Sequence, residues 1–594
     1  MTDTRLTATS RAEALDRLRR STEPGSELDV LVIGGGITGA GIALDAASRG
    51  LTTAVVEAQD WAAGTSSRSS KLVHGGLRYL QMLDFKLVTE ALSERDLLLT
   101  ELAPHLVRPI PFLYPLRHRV WERAFVGAGI MLYDILASLR RGRRALPWHR
   151  HLTRRALTAV FPDLAQCAAV GAIEYWDANV DDARYVVTVL RTAKEHGAFA
   201  ASRTQVVELT KNEQGAIDGA VLQVLETGET ITVRSRSVIS STGVWTEKSQ
   251  ALAGTDGGLR VLASKGIHIV VPRARIKGEV GLILQTATSV LFVIPWSRYW
   301  VIGTTDTPWT EEFTHPTATA TDIAYVIGQA NSVLANPIDQ SDVIGTWAGL
   351  RPLLQPGTIE GTSSAKVSRE HTVASPAPGL TVIAGGKFTT YRIMAKDAVD
   401  FALGPSARAT PSVTKSLPLT GAADLVAAES QVRSASTELG WSEPLVEHLL
   451  HRYGAHVLDI LEIVRATPEL GNRLAHAPAY LRAEIAYAVT HEGALHLDDI
   501  MMRRTRMVYE YPNEASAALD EVIEIAGPLL RWDKKTADHE LAVYRAGVTA
   551  DATAATKPDD VSAARVREQA PDIVPMAPFE QPPDLQETTT HTKE

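Results

Sequence analysis

Cysteine is almost missing from this chain, with Cys167 the only one in 594 residues. A single thiol cannot form an internal disulfide, so a reducing compartment is expected. No secretory leader is expected: Met1 to Ser26 is polar and charged and lacks an apolar h-region. No uncharged apolar stretch reaches the roughly 18 residues needed to span a bilayer. The nearest approach, Ala124 to Leu139, is interrupted by Asp134. Basic charge is not in excess: 60 Lys and Arg stand against 69 Asp and Glu, for a net charge of −9. A nucleic-acid binder would want the opposite balance, so no nucleic-acid partner is expected, and no metal either. There is no internal repeat. What remains is 45% hydrophobic and 22% charged residues, the balance of a globular enzyme, in a chain long enough for two or three domains.

Regular structure is predicted to begin abruptly after a polar segment that holds at most a short helix around Leu15 and Leu18. Asp29–Ile33 is an apolar, β-branched run that reads as a buried parallel strand. Helical spacing follows from Ile37 to Arg49 and stops at Gly50, and Thr52–Glu57 reads as a second strand. This βαβ unit points to an open α/β sheet with right-handed crossovers. Asp182 to His196 reads as helix, and residues 203–240 as strands with turns at Asn212–Gly215 and Thr227–Gly228. More strands are predicted at Ile267–Val271, Val290–Pro295, Trp300–Thr304 and 380–384, and a helix from about Thr390.

Gly34, Gly36 and Gly39 stand at the spacing of a dinucleotide fingerprint, between a predicted strand and a predicted helix. The first glycine permits the tight turn, the second the approach of a pyrophosphate, the third the close packing of helix on strand. The helix N-terminus offers free N–H groups and a positive dipole end. Glu57 closes the second strand, where an acid binds a ribose hydroxyl pair; the competing reading is a solvent-facing glutamate. The fingerprint alone does not separate FAD from NAD. Two further glycine turns favour FAD: Ser240–Trp245, containing Gly243, and Gly385–Arg392, containing Gly386. The second opens a helix, whose N-terminus would stabilise negative charge on a reduced flavin.

The stretch Gly64–Leu80, with Ser66, Ser67, Ser70, His74, Gly75, Arg78 and Tyr79, closely resembles the signature of the FAD-dependent, quinone-linked glycerol-3-phosphate dehydrogenases. Lys265–Pro272, Gly303–Asp306, Ala348–Leu353, Ser368–His371 and Gly385–Arg392 resemble the same family in the same order, over about residues 28–400. The segment from Leu497 to Arg506 is similar to its C-terminal cap domain. The resemblance implies a Rossmann-like FAD domain of the amino-acid-oxidase and glutathione-reductase type, interleaved with an α+β substrate domain and followed by an all-helical cap. The implied division is a tail over 1–27 and a discontinuous FAD and substrate region over 28–405. Within it about 28–116, 171–262 and 340–405 are mainly FAD domain and 263–339 mainly substrate domain. A linker over 406–417, within the Pro- and Ser-rich run Gly404–Leu417, a helical domain over 418–545 and a disordered tail over 546–594 complete the chain. The tail is rich in Pro, Asp, Thr and Glu. The implied reaction oxidises sn-glycerol 3-phosphate to dihydroxyacetone phosphate, with hydride passing from C2 to flavin N5 and electrons on to a membrane quinone.

That substrate carries a dianionic phosphate and a secondary alcohol. Arginine forks suit the phosphate, and Arg78 and Arg369, with Tyr79 beside them, are placed there by their motifs; Arg351 serves the phosphate or the glycerol oxygens. A base must reach the alcohol proton. His268 is the first choice, against the reading of a core histidine satisfied by backbone, and His74 the second, unless it sits beside the flavin. Lys387 is placed at the flavin N5 side or the alkoxide. Ser66, Ser67, Ser70, Gly75, Thr389 and Thr390 are expected along FAD.

Residues 117–150 form a candidate membrane-interface segment. Arg117, Arg119 and Arg123 precede an apolar run carrying Trp121, Phe125, Met131 and Tyr133, and Arg140, Arg141, Arg143 and Arg144 follow it. Such a helix suits anionic lipid, the alternative being a core helix. The expected setting is therefore cytoplasmic, peripherally attached to the inner face of the membrane, with a homodimer left open. A glycerophosphate oxidase, reoxidised by oxygen, would share the same motifs.

Overall fold

The computed structural model describes residues 3–77, 84–138, 145–255, 258–286, 290–355, 371–511 and 515–578. Arg78, Tyr79, Arg369, Arg140, Arg141, Arg143 and Arg144 lie outside them.

The described residues form two sheets and a helical domain. Leu28–Ile33 is buried on both faces and lies between Glu229–Ser240 and Thr53–Val56, parallel to both. Leu380–Gly385 and Phe199–Ala201 extend the parallel set on either side, as the β-branched, non-alternating sequence of the first strand requires. Helices Ile37–Ser48, Asp182–Glu195 and Tyr391–Leu403 pack together beside this sheet. Gly50 stands at φ +85° just after the first of them, as predicted. Thr204–Lys211 and Ile217–Val224 form an antiparallel flap running into Glu229–Ser240.

The second sheet has ten strands and is largely antiparallel. Its spine is Val261–Pro272, paired with Gly345–Leu354 on one edge and Tyr299–Gly303 on the other. The predicted partition needs correction here. Leu72–Val73, Arg108–Leu116, Arg150–Thr153, Gly171–Asn179 and Gly345–Leu354 all belong to this second sheet, although most of them were assigned to the FAD domain by position. The two sheets exchange chain several times, and periodicity cannot tell which of two sheets a strand joins.

The N-terminal residues are not a loose tail. Thr7 caps the helix Ala8–Arg19 in a reciprocal capping box with Ser10, and Ala14, Leu15 and Leu18 are buried against the first sheet. The expected disorder from residue 546 is also wrong as far as residue 578. Lys534–Ala554 continues past that point, and Asp560–Glu568 forms another helix. Composition alone misjudged the segment because its few apolar residues, among them Ala555, Ala564 and Ile573, pack into clusters formed by other parts of the chain.

The helical domain is held to the first sheet's helices by buried ion pairs. Asp60 accepts from Arg504 Nη1 and Nη2, both at 2.7 Å, and also from Arg503. Arg506 bridges Asp181 and Asp182, and Arg184 meets Glu492. Pairs of this kind add little net stability over an apolar interface, but losing one partner strands a buried charge. They fix how the domain docks.

Trp121–Ser138 buries one face, with Ile130, Tyr133 and Ala137, and exposes the other. Trp121 is 63% and Phe125 69% exposed. Among the described residues no helix is long and apolar enough to cross a membrane.

Candidate active site

A cavity of about 410 Å³ lies where the two sheets meet. One stretch of its wall is the glycine turn. Gly34 adopts φ +107°, and a Cβ on Gly39 would stand 1.8 Å from the Gly34 carbonyl oxygen. Gly34 and Gly36 face the cavity; Gly39 does not, its role being the close packing of helix on turn. Gly36 caps the following helix without any side-chain bond, which leaves N–H groups there for a ligand. Ser66 accepts from Ile37 N at 3.0 Å and lines the same stretch. Glu57 also lines it, its carboxylate accepting from Gly35 N at 2.6 Å and Gln59 N at 2.7 Å. Burial pushes this carboxyl up, opposed by those two N–H donors. Glu57 is therefore not the solvent-facing residue of the competing reading.

The other stretch comes mainly from the second sheet. His268 is 2% exposed, its Nε2 2.8 Å from Ser70 Oγ and its ring stacked on Trp347 at 5.2 Å. Its Nδ1 is buried without a hydrogen-bond partner, so it is not a core histidine satisfied by backbone. Burial holds the imidazole well below its ordinary pKa, helped by the positive charges of Arg351 and Lys71. Neutral and facing the cavity, it can accept a proton. Arg351 donates to Thr304 Oγ1 at 3.0 Å and to the Thr305 carbonyl at 3.1 Å, with Asp306 3.4 Å away. Two glycines make room for these side chains. A Cβ on Gly303 would meet His268 Cδ2 at 2.4 Å, and one on Gly266 would meet Arg351 Nη2 at 2.3 Å. Both glycines stand in the motifs Gly303–Asp306 and Lys265–Pro272, which thus encode space as well as side chains.

The third contributor is the turn after Leu380–Gly385. Gly386 and Lys387 line the cavity, as does Thr389, whose hydroxyl accepts from His74 N at 3.2 Å. His74 lines it as well, in edge contact with Phe292. Gly243 contributes at φ +59° with open space where a Cβ would point.

Three other predicted residues do not reach the wall. Ser67 is buried and gives its carbonyl to Lys71 Nζ. Gly75 donates to Tyr133 Oη at 2.9 Å, and a Cβ there would strike Leu92 and Tyr133. Thr390 is buried behind the turn, bonded to the Lys387 carbonyl. Their neighbours in the motifs do line the cavity, and which residue of an irregular loop turns away is not revealed by spacing.

Some wall residues were not predicted. Arg68 lies on the wall, burial pushing its guanidinium below the ordinary value. Trp245 lines it with Nε1 buried and without a hydrogen-bond partner. Asp306, quoted in a motif but given no role, stands beside Arg351. Met576, from the supposed tail, lines it too.

The residues present fit a flavin dinucleotide: a helix start and glycine turn with backbone N–H groups for phosphates, an acid at the second strand end for ribose, and Trp245 with its Nε1 unpartnered on the wall. Fold and site together define an FAD-dependent oxidoreductase, and a family model described as FAD dependent oxidoreductase matches residues 29–392. A second model, the C-terminal domain of alpha-glycerophosphate oxidase, matches residues 412–537. The chain is 48% identical over 547 residues to a glycerol-3-phosphate dehydrogenase of Mycobacterium leprae, covering 92% of each. It is 36% identical to the human mitochondrial glycerol-3-phosphate dehydrogenase, covering 88% of this chain and 73% of that one. A solved glycerol-3-phosphate dehydrogenase from Bacillus halodurans, complexed with FAD, superimposes with a TM-score of 0.73 at 26% identity, covering 91% and 98% of the two chains. The chain belongs to the FAD-dependent glycerol-3-phosphate dehydrogenase family.

Proposed function

We propose that the enzyme oxidises sn-glycerol 3-phosphate to dihydroxyacetone phosphate and hands the electrons to a membrane quinone. The observation that carries this reading is the pairing of a buried, neutral imidazole with guanidinium groups on one stretch of a flavin cavity. FAD, when bound, supplies the two-electron acceptor for the C2 hydride. The chain's own residues do the rest. His268 takes the C2 hydroxyl proton at Nε2, in the place that Ser70 Oγ holds 2.8 Å away. Arg351 and Lys387 steady the oxygen as negative charge develops. Arg68 adds fixed positive charge for the phosphate, together with Arg78, Tyr79 and Arg369 by their place in the motifs.

The exposed face of Trp121–Ser138 supports the quinone acceptor. Trp121, Phe125 and Met131 project from it, and Arg117 and Arg119 are exposed just before it. Aromatic and apolar side chains with flanking cations suit the surface of an anionic bilayer, where a quinone is met. The C-terminal match to an oxidase domain favours the alternative of oxygen as acceptor.

Anaerobic mixing of the purified holoenzyme with sn-glycerol 3-phosphate tests the first half: the flavin absorbance should bleach, and an unbleached flavin would reject the substrate. For the second half, reoxidation by quinone in anionic vesicles should outpace reoxidation by oxygen. Stoichiometric peroxide release at the faster rate would instead identify an oxidase.

A further inference from the structure

The segment after Asp560–Glu568 crosses the molecule and ends on the cofactor cavity. Its path is pinned at successive points. Before the helix, the Lys557 carbonyl accepts from Ala320 N at 2.8 Å and the Pro558 carbonyl from Thr321 Oγ1 at 2.6 Å. Asp560 pairs with the buried Lys265 of the second sheet. Ala564 packs in a small cluster with Val244, Trp309 and Leu350. After the helix, Asp572 pairs with His315 Nε2 at 2.7 Å, and Ile573 packs on the core of the helical domain.

The last fastening is the most informative. Gln205 Nε2 donates to the Ala577 carbonyl at 2.9 Å, and Ala577 N donates to Gln205 Oε1 at 2.9 Å. One amide side chain thus satisfies both polar groups of one backbone unit. Thr204, next to Gln205, donates its N–H to the Glu57 carbonyl at 2.7 Å. The clasp therefore sits at the strand end whose acid binds ribose in this fold. Met576, the residue before the clasp, lines the cavity together with Glu57, Gln59 and Gln205. Prolines at 571, 575 and 578 restrict the unbound segment to extended conformations, which lowers the entropy lost on fastening it. That composition looks like disorder in isolation, yet it suits a strap held by partners elsewhere.

We infer that residues 570–578 are part of the FAD site, a strap that covers the adenosine portion of the cofactor with Met576 and is held by the Gln205–Ala577 clasp. An unbranched thioether side chain adapts to a flat ring, and the clasp leaves no backbone polar group of Ala577 exposed to it. The strap lies beyond the residues matched by either family model, which end at 392 and 537. It retains FAD rather than reacting, so it acts whichever substrate and acceptor the enzyme uses.

The test is flavin release from the full-length holoenzyme, followed by the rise in free flavin fluorescence after dilution. Met576→Ala and Ala577→Pro, which deletes the donated N–H, should each speed release by about tenfold, the scale of one buried side chain or one lost hydrogen bond. A chain ending at Gln569 should lose FAD faster still. Release as slow as in the unaltered protein from both point variants would overturn the inference. Should the shortened chain fail to fold, amide exchange of the unaltered protein decides independently. Because linkage is reciprocal, residues 573–578 should be protected by added FAD. Equal exchange with and without FAD would reject the strap.

Discussion

The stretch of cavity wall around Gly34–Gly36 is built largely from backbone, whereas the stretch around His268 is built from side chains. The first needs a turn, a helix start and one acid, all within 30 residues of chain. The second brings Ser70 to His268 across 198 positions and Arg351 to Thr304 across 47. Backbone donors are supplied by any sequence able to make the turn, so tolerance there is decided by volume. Side-chain chemistry depends on the register between distant strands, and tolerance there is decided by identity.

If the contrast is right, adding volume to the backbone stretch should have the largest effect of all. Gly39→Ala places a Cβ 1.8 Å from a backbone oxygen that cannot move without unmaking the turn. The expected product carries almost no FAD, read as the ratio of visible flavin to protein absorbance. A Gly39→Ala enzyme with full flavin content would show that the turn is not a rigid cradle.

On the side-chain stretch the loss should fall on chemistry. His268→Ala should slow anaerobic flavin reduction by about 10²–10³-fold, the usual worth of a positioned base, while the protein keeps its FAD. A variant that reduces at the normal rate would remove His268 from the reaction, leaving His74 as the remaining histidine on the wall.

Glu57→Gln should have a smaller effect, weakening FAD binding by about tenfold through a lost charge-assisted hydrogen bond. Titration of apoprotein with FAD measures it. If the defect appears in the substrate KM instead, Glu57 does not serve the ribose.

The same contrast explains how much was legible. The glycine turn could be read residue by residue because its spacing dictates its own geometry: Gly34, Gly36 and Glu57 line the cavity, and Gly39 packs against the Gly34 carbonyl. His268 and Arg351 were found through motifs, whereas the room made for them by Gly303 and Gly266 is visible only once strands 261–272, 299–303 and 345–354 are aligned. The loop 64–75 was legible as a site but not in detail, since it has no periodicity to separate Ser66 and Ser70 from Ser67 and Gly75. The C-terminal strap was illegible, because its order comes from Gln205, Lys265 and His315, hundreds of residues upstream.

Two buried histidines sharpen the comparison from the side of stability. Among the described residues no carboxylate stands against His268, and burial lowers its pKa. His496 is less enclosed, its side chain 13% exposed, and lies 2.7 Å from Glu540 and 3.7 Å from Glu226. Burial opposes its charge, yet the two carboxylates beside it, Glu540 accepting from Nδ1 and Glu226 paired with Nε2, prevail and raise its pKa from 6.5 to about 9. The signs of their contributions differ accordingly. Below pH 6.5 the unfolded chain takes up a proton that folded His268 refuses, so stability falls as the pH drops. For His496 the folded state holds the proton more tightly. Its contribution is full below 6.5 and fades as the pH rises through 9, by at most about 3 kcal/mol. Unfolding by urea at saturating FAD should therefore show stability declining from neutral pH toward pH 9. His496→Gln should flatten that limb while leaving the acid limb intact. An unaltered alkaline limb in the variant would mean that the carboxylates do not hold a charged imidazole, and that the link from Glu540 through His496 to the first sheet's flap is not ionic.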